Sequence, residues 1–403
     1  MNDVDPVPIE GFCAPGFESV AEAFAYNVQQ RGDDGAACAV YLDGEIVVNL
    51  HGGRADRNAS RWWRKDTLVN VFSAAKPVVA WAVLRLAETG VLDLDMPVAH
   101  YWPEFGQAGK ERVTVRMLLC HRSGLPALQS PAGDETIYNW STMVRLLERE
   151  SLAWEPGSAQ GYHVFTFGWL LGELVRRATG IPIERYLHDH LQQAHAIDLR
   201  FGVSDREMQR VADIEPYLKP AEKERRAHER RLRGAGPKAP RAQARPSWQD
   251  DLYFKAFHNP PTLGYGTNGN AWRQSVIPGG NGHATGEALA RFYGLLVNGE
   301  ELLSADWVSR ARQEASSGED KVLGLKGRFG LGFMLSQSRG MFDPVPGVEV
   351  FGHAGAGGAV AFGDPQRGLG FSYVTRHITA GMLGDRRSQT LIAALYPGAQ
   401  GNS

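Results

Sequence analysis

Val69-Asn70-Val71-Phe72-Ser73-Ala74-Ala75-Lys76, followed by an almost wholly apolar run from Pro77 to Leu86, reads as a short strand, a turn and a buried helix. A helix start presents unpaired N–H groups and the positive end of the macrodipole. Both favour a hydroxyl oxygen that sheds its proton and an oxyanion formed beside it. Lys76 stands one turn beyond Ser73, about 4.5 Å along the axis and on a neighbouring face, so its amine reaches the hydroxyl. Desolvation by the apolar helix pulls the amine toward its neutral form, in which it can take the serine proton. Pro77 suits a first helical turn. The competing reading is a serine N-cap followed by a surface lysine. Ser-x-x-Lys occurs once in the chain, and it gains weight only if other pieces converge on it.

Outward from this turn, strand patterns occupy both ends of the chain. Ala37 to Leu42 and Glu45 to Leu50 flank Asp43-Gly44, a pair suited to a tight type I′ turn. Val348 to His353, Ala359 to Phe362 and Leu369 to Val374 read as three more strands, and Arg386 to Tyr396 as a helix. Between them, Ser141 to Glu150 and Phe165 to Thr179 carry apolar residues at helical spacing. The fold class expected is α/β (α+β): an antiparallel sheet flanked by helices, with a mostly helical domain inserted. The boundaries expected are 1–92 and 262–403 for the sheet domain and 93–261 for the helical one.

The 403 residues carry 43 Lys+Arg against 45 Asp+Glu, a net charge of −2, with 43% hydrophobic residues. That balance describes a globular chain and argues against a nucleic-acid binder. No apolar run has the length to cross a bilayer, and Met1 to Ile9 lacks the basic start and apolar stretch of an export signal. Cys13, Cys38 and Cys120 are odd in number and lack metal-ligand spacing, which suits reduced thiols and a cytoplasmic location. Pro220 to Pro246, rich in Arg, Glu, Pro and Gly, cannot form core. It reads as a solvated, mobile segment that borders a substrate entrance.

Two further stretches carry chemistry. Trp154-Glu155-Pro156-Gly157-Ser158-Ala159-Gln160-Gly161-Tyr162 turns at Pro-Gly and delivers a tyrosine just before a helix. A phenol between Ser73 and Lys76 can relay protons, and a cationic Lys76 would draw its pKa down from about 10, so that it can act as base in acylation and as acid toward the leaving group; the acylation base is Lys76 or Tyr162. Phe351-Gly352-His353-Ala354-Gly355-Ala356 ends a strand in small residues, which let N–H groups approach a carbonyl as an oxyanion hole requires. His353 can orient the phenol or a substrate carboxylate. Tyr138, Trp140, Tyr265 and Trp272 are candidate walls of an apolar pocket.

These three pieces, in this order, together with His121-Arg122-Ser123-Gly124-Leu125-Pro126, resemble the serine β-lactamase and penicillin-binding-protein superfamily, from about Gly35 to Tyr396. The likeness is strongest to class C β-lactamases and family VIII carboxylesterases. The resemblance implies a β-lactamase/DD-peptidase-like fold with Ser73 as nucleophile, Lys76 as its activating partner and Tyr162 as second general acid/base. It places the oxyanion hole at the N–H groups of Ser73 and Ala356. It also implies substrate contacts at His353, Gly355 and Gln129. Tyr162-His163-Val164 lacks the asparagine of the lactamase Tyr-x-Asn, and His353-Ala354-Gly355 stands where the lactamase has Lys-Thr-Gly. Both departures lean toward the esterase branch.

The function expected is therefore cleavage of short-chain carboxylic esters through an acyl-Ser73 intermediate. The expectation includes no metal or organic cofactor and a small-molecule ester as the partner, with no nucleic acid and no membrane. β-Lactam hydrolysis, D-amino-acid amide hydrolysis and acyl transfer are alternatives on the same machinery, and an idle binding or scaffold protein is the alternative of another class. A Ser-His-Asp esterase would carry Gly-x-Ser-x-Gly, which is absent. Ser123 is a minor rival nucleophile, and His188, Asp189, His190 and His195 read as a polar helix rather than a metal site.

Overall fold

The computed structural model describes residues 7–58, 60–216, 251–260, 266–299, 301–379 and 384–398. The Pro220 to Pro246 segment and Tyr265 lie outside the described residues. Asp43 and Gly44 both adopt positive φ, 49° and 94°, the left-handed pair that a type I′ turn demands. They join β2 (Ala36–Leu42) to β3 (Glu45–Gly52), and β1 (Ile9–Cys13) pairs with the outer edge of β3.

The other strands of the sheet come from the far end of the chain: β4 (Ser316–Glu319), β5 (Lys326–Phe329), β6 (Met334–Leu335), β7 (Phe351–Ala354), β8 (Val360–Asp364) and β9 (Leu369–Thr375). The nine strands run in the order β1-β3-β2-β9-β8-β7-β6-β5-β4, every neighbouring pair antiparallel. The two ends of the chain meet at β2 and β9, where Leu42 faces Leu369 and Ala36 faces Thr375. All seven residues of β9 and six of seven in β2 are buried. Helices therefore cover both faces of the sheet centre, which accounts for near-continuous apolar strands where an exposed antiparallel sheet would alternate.

Among the helices that matter for the site, α1 (Lys76–Glu88) packs against α3 (Thr166–Thr179), with α2 (Trp140–Arg149) beside α3. A fourth, α4 (Gly286–Asn298), lies on β2, β8 and β9. Eleven of the thirteen α1 residues are buried, so its apolar sequence places it between the sheet and the helical region. The strand expected from Val348 begins only at Phe351. No helix among the described residues is long and apolar enough to cross a membrane.

Candidate active site

Val69–Asn70 pairs with His283–Ala284, which pairs in turn with Leu199–Arg200. The Val71 N–H donates to the Gly282 carbonyl at 2.8 Å, fixing the chain just before the candidate nucleophile. Phe72 then takes a left-handed φ of 49°, a strained conformation for a residue with a side chain and one that concentrates at functional turns. Phe72–Ala75 form one 3₁₀ turn that runs directly into α1, with Lys76 as its first residue and Pro77 just behind it. Ser73 thus sits in the turn and Lys76 at the helix start, the strand-turn-helix order expected.

Lys76 has no solvent exposure. Its Nζ donates to the carbonyls of Val164 at 2.7 Å and Gly279 at 2.6 Å, and lies 3.1 Å from Ser73 Oγ. Burial holds its pKa well below the usual ammonium value. An uncharged amine has two N–H donors and one lone pair. The two carbonyls take the donors, and the lone pair is left for the Ser73 hydroxyl proton.

Tyr162 enters from the helical region. The backbone at Gly161 passes so close to Trp154 that a Cβ there would stand 2.5 Å from its ring. Beyond this tight pass the Tyr162 ring lies with its centroid 4.9 Å from Lys76 Nζ, while the Ser73 side chain lies against the phenol. Phe329 stacks nearly parallel to Tyr162 and His121 packs at a tilt, with centroids at 6.4 and 5.0 Å. His353 Nδ1 donates to the Ala354 carbonyl at 2.6 Å, which leaves Nε2 as an acceptor for the Tyr162 hydroxyl at 3.3 Å.

One electrostatic expectation is corrected here. The sequence predicts that a cationic Lys76 lowers the Tyr162 pKa, whereas in the folded protein burial raises it above the usual phenol value. The cause is the same dry environment that neutralises Lys76. Burial likewise pushes His353 and His163 down to about 3 and His121 well below its ordinary value. These three histidines are therefore uncharged at neutral pH.

The end of β7 closes the other side. Gly355 donates to the Ala359 carbonyl at 2.8 Å, and a Cβ on Gly355 would stand 2.2 Å from the Val71 carbonyl oxygen. Only glycine lets the strand press this closely on the Ser73 turn. Among the described residues neither the Ser73 nor the Ala356 N–H donates to a protein acceptor, as an oxyanion hole requires.

Other expected residues stand apart. Gln129 Oε1 accepts from Lys255 Nζ at 2.9 Å and its N–H donates to Glu150 at 3.0 Å; none of its described contacts reaches Ser73, Lys76 or Tyr162. Trp272 is buried, donating to Asn70 Oδ1 at 3.1 Å, and Trp140 donates to Glu173 at 2.9 Å. Ser123 Oγ is bonded to His163 Nε2 at 2.7 Å with both side chains fully buried, a pair closed to substrate. No cluster of His, Cys, Asp and Glu among the described residues has the arrangement of a metal site.

A model of the beta-lactamase family matches residues 20–393. The chain belongs to the beta-lactamase family. It is 32% identical over 375 residues to the esterase/beta-lactamase LipL of Mycobacterium tuberculosis, covering 90% of this chain and 82% of that protein. A family VIII carboxylesterase crystal structure superposes with a TM-score of 0.83 at 33% identity, over 96% of this chain and 99% of the other. A penicillin-binding protein homologue from Caulobacter crescentus gives 0.82 at 34% identity with the same coverage. The β-lactamase-like fold expected from the motifs is the one observed, and the chain is a hydrolase of the esterase and β-lactamase superfamily.

The acceptors that hold Lys76 were not legible in the sequence, because backbone carbonyls leave no side-chain signature. His121 and Phe329, which pack on Tyr162, were equally silent as site residues. His121 lies within the quoted His-Arg-Ser-Gly stretch, and its left-handed φ of 60° marks a constrained turn that no composition rule anticipates.

Proposed function

We propose that this protein is a carboxylesterase that cleaves short-chain esters through a covalent acyl-Ser73 intermediate. The observation that carries the reading is the buried Lys76 amine, with two donors spent on carbonyls and its third direction on Ser73 Oγ 3.1 Å away. In acylation Lys76 Nζ takes the Ser73 proton as Oγ attacks the ester carbonyl. The oxyanion is received by the Ser73 and Ala356 N–H groups. Collapse of the tetrahedral intermediate breaks the bond to the alcohol oxygen. Tyr162 gives that oxygen its proton and recovers one from the Lys76 ammonium, so that amine and phenol both return to their starting forms. Water then attacks the acyl carbon and passes a proton to Lys76, which returns it to Ser73 Oγ as the acid departs.

His353 positions the phenol through Nε2. With its pKa pushed down to about 3 by burial, it is uncharged at neutral pH and offers no fixed positive charge to a substrate carboxylate, which favours an uncharged ester. A second reading, β-lactam hydrolysis, draws support from the resemblance to LipL. Incubation with a p-nitrophenyl short-chain ester and with a chromogenic cephalosporin separates the two. Ester turnover with an acyl adduct located on Ser73 by mass spectrometry supports the first reading. Faster cephalosporin turnover, or an adduct elsewhere, would sink it.

A further inference from the structure

The hairpin joining β4 to β5 turns through residues 320–325, and the turn is pressed against the stretch that delivers Tyr162. Gln160 Nε2 donates to the carbonyls of Gly318 at 2.9 Å and Gly327 at 3.0 Å. The Lys321 N–H donates to the Gln160 carbonyl at 3.0 Å, and a Cβ on Gly161 would meet Val322 at 3.2 Å. Inside the turn sits Asp320, without solvent exposure. Its Oδ1 accepts the N–H groups of Val322 and Leu323, both at 2.9 Å. Its Oδ2 is buried with no hydrogen-bond partner, while the carboxylate faces the backbone N–H of Tyr162. No ion pair to Asp320 occurs among the described residues.

Two amide bonds suffice to shape such a turn, and Asn or Ser would accept them without a buried charge. A carboxylate taken out of water costs free energy, so its presence beside Tyr162 asks for a reason. We propose that Asp320 is a positioning residue, which holds Tyr162 through its backbone so that the phenol can hand its proton to the leaving alcohol. The proposal rests on the role given to Tyr162 above. The other titratable groups facing the phenol are Lys76, His121 and His353, all driven toward their neutral forms by burial. Burial raises the Asp320 carboxyl above the usual carboxylate range, opposed by the amide N–H groups of Tyr162, Leu323 and Val322; in its ionised form it disfavours a second negative charge on the phenol oxygen and by itself weakens the acid. What Asp320 gives the acid is therefore its placement, through the Tyr162 backbone.

The test compares kcat/KM on a p-nitrophenyl ester and an alkyl ester of the same acyl group, which reports acylation. Nitrophenolate leaves unaided, whereas an alkoxide needs a proton, so damage to the acid appears on the alkyl ester. For Asp320→Asn we expect a loss of roughly 30-fold on the alkyl ester and under about threefold on the aryl ester. Tyr162→Phe should show the same bias more strongly, and the double variant should be no worse than Tyr162→Phe alone. Asp320→Ser, which keeps an acceptor for the two turn amides, should repeat the bias. Equal losses on both esters, additive losses in the double variant, or loss of the folded circular dichroism spectrum in both Asp320 variants would make Asp320 structural only and overturn the proposal. Full alkyl-ester activity in Tyr162→Phe would instead remove the role of Tyr162, and the proposal would fall with it.

Discussion

Replacing Lys76 with Met keeps the length and apolar stem of the side chain and deletes only the amine. Two consequences separate cleanly. The carbonyls of Val164 and Gly279 lose their donor in a site without solvent, and an orphaned buried acceptor costs about 1–3 kcal/mol. The sum is tempered because Met no longer carries an amine out of water, so the net loss of stability should be about 2–4 kcal/mol. The base is also gone, and ester turnover should fall by ~10²-fold or more. Ser73→Ala makes the comparison. It should abolish turnover too, but it removes one hydroxyl from a turn whose backbone is held by other bonds, and its stability should change by under about 1 kcal/mol. Urea unfolding followed by circular dichroism, read as the midpoint of Lys76→Met against Ser73→Ala, measures the difference, and a p-nitrophenyl ester measures the rate. Equal midpoints would mean that the two carbonyls do not depend on Lys76. Normal acylation of Ser73 in Lys76→Met would mean that another group takes the proton.

Gly355→Ala places a methyl group 2.2 Å from the Val71 carbonyl oxygen, so the end of β7 must move off the Ser73 turn and carry the Ala356 N–H with it. We expect kcat to drop ~10²-fold with KM changed far less, as for loss of one oxyanion donor; unchanged kcat would place the oxyanion elsewhere. Gln129→Ala should leave kcat/KM for a short ester within about twofold, because its contacts run to Lys255 and Glu150; a tenfold loss would restore it to the substrate site. Acid should destabilise the fold early. His163, His283 and His353 are held at about 3 by burial, whereas the unfolded chain protonates them near 6.5. The unfolded state thus binds more protons in that window, and stability falls as pH drops from about 6.5 toward 3, by roughly 1.4 kcal/mol per pH unit for each histidine. A urea midpoint flat from pH 7 to 5 would contradict their burial.

Much of the frame was legible from the sequence because it is written in local rules. Asp43-Gly44 can close only a tight turn, and Pro77 after Lys76 marks a helix start. The apolar run to Leu86 has no place except between two layers. Convergence is a different matter. Nothing local to Tyr162 states that it will lie 4.9 Å from Lys76, and only the joint order of three motifs suggested it. What escaped was the content of the space between motifs: the Val164 and Gly279 carbonyls, the Phe329 ring, and the unpaired oxygen of Asp320. The partners of Gln129 were illegible for the reverse reason. A side chain in a loop is assigned by its neighbours in sequence, while its partner Lys255 comes from more than a hundred residues away.

The error about Tyr162 has the same origin and leads further. The sequence reading lets the apolar helix neutralise Lys76, yet lets a cationic Lys76 draw a proton off the phenol without asking what the same burial does to Tyr162. In the folded protein the desolvation that frees the Lys76 lone pair also keeps Tyr162 protonated, since burial disfavours ammonium and phenolate alike. Each group thereby rests in the form from which its transfer starts, the amine unprotonated and the phenol protonated, although burial makes both transfers costlier. The division of labour then needs no pre-formed ion pair: charge appears only when Ser73 attacks, and the Lys76 ammonium created at that moment is what replenishes the phenol. A site so arranged should act best on substrates that bring no charge of their own. Adding a carboxylate to the acyl chain of a good ester substrate should therefore raise KM at least tenfold, since the buried His353 is uncharged at neutral pH and Ala354 and Gly355 beside it carry no charge. Preference for the charged ester would show that a cation reaches the substrate from elsewhere in the chain, and that the uncharged His353 does not set specificity.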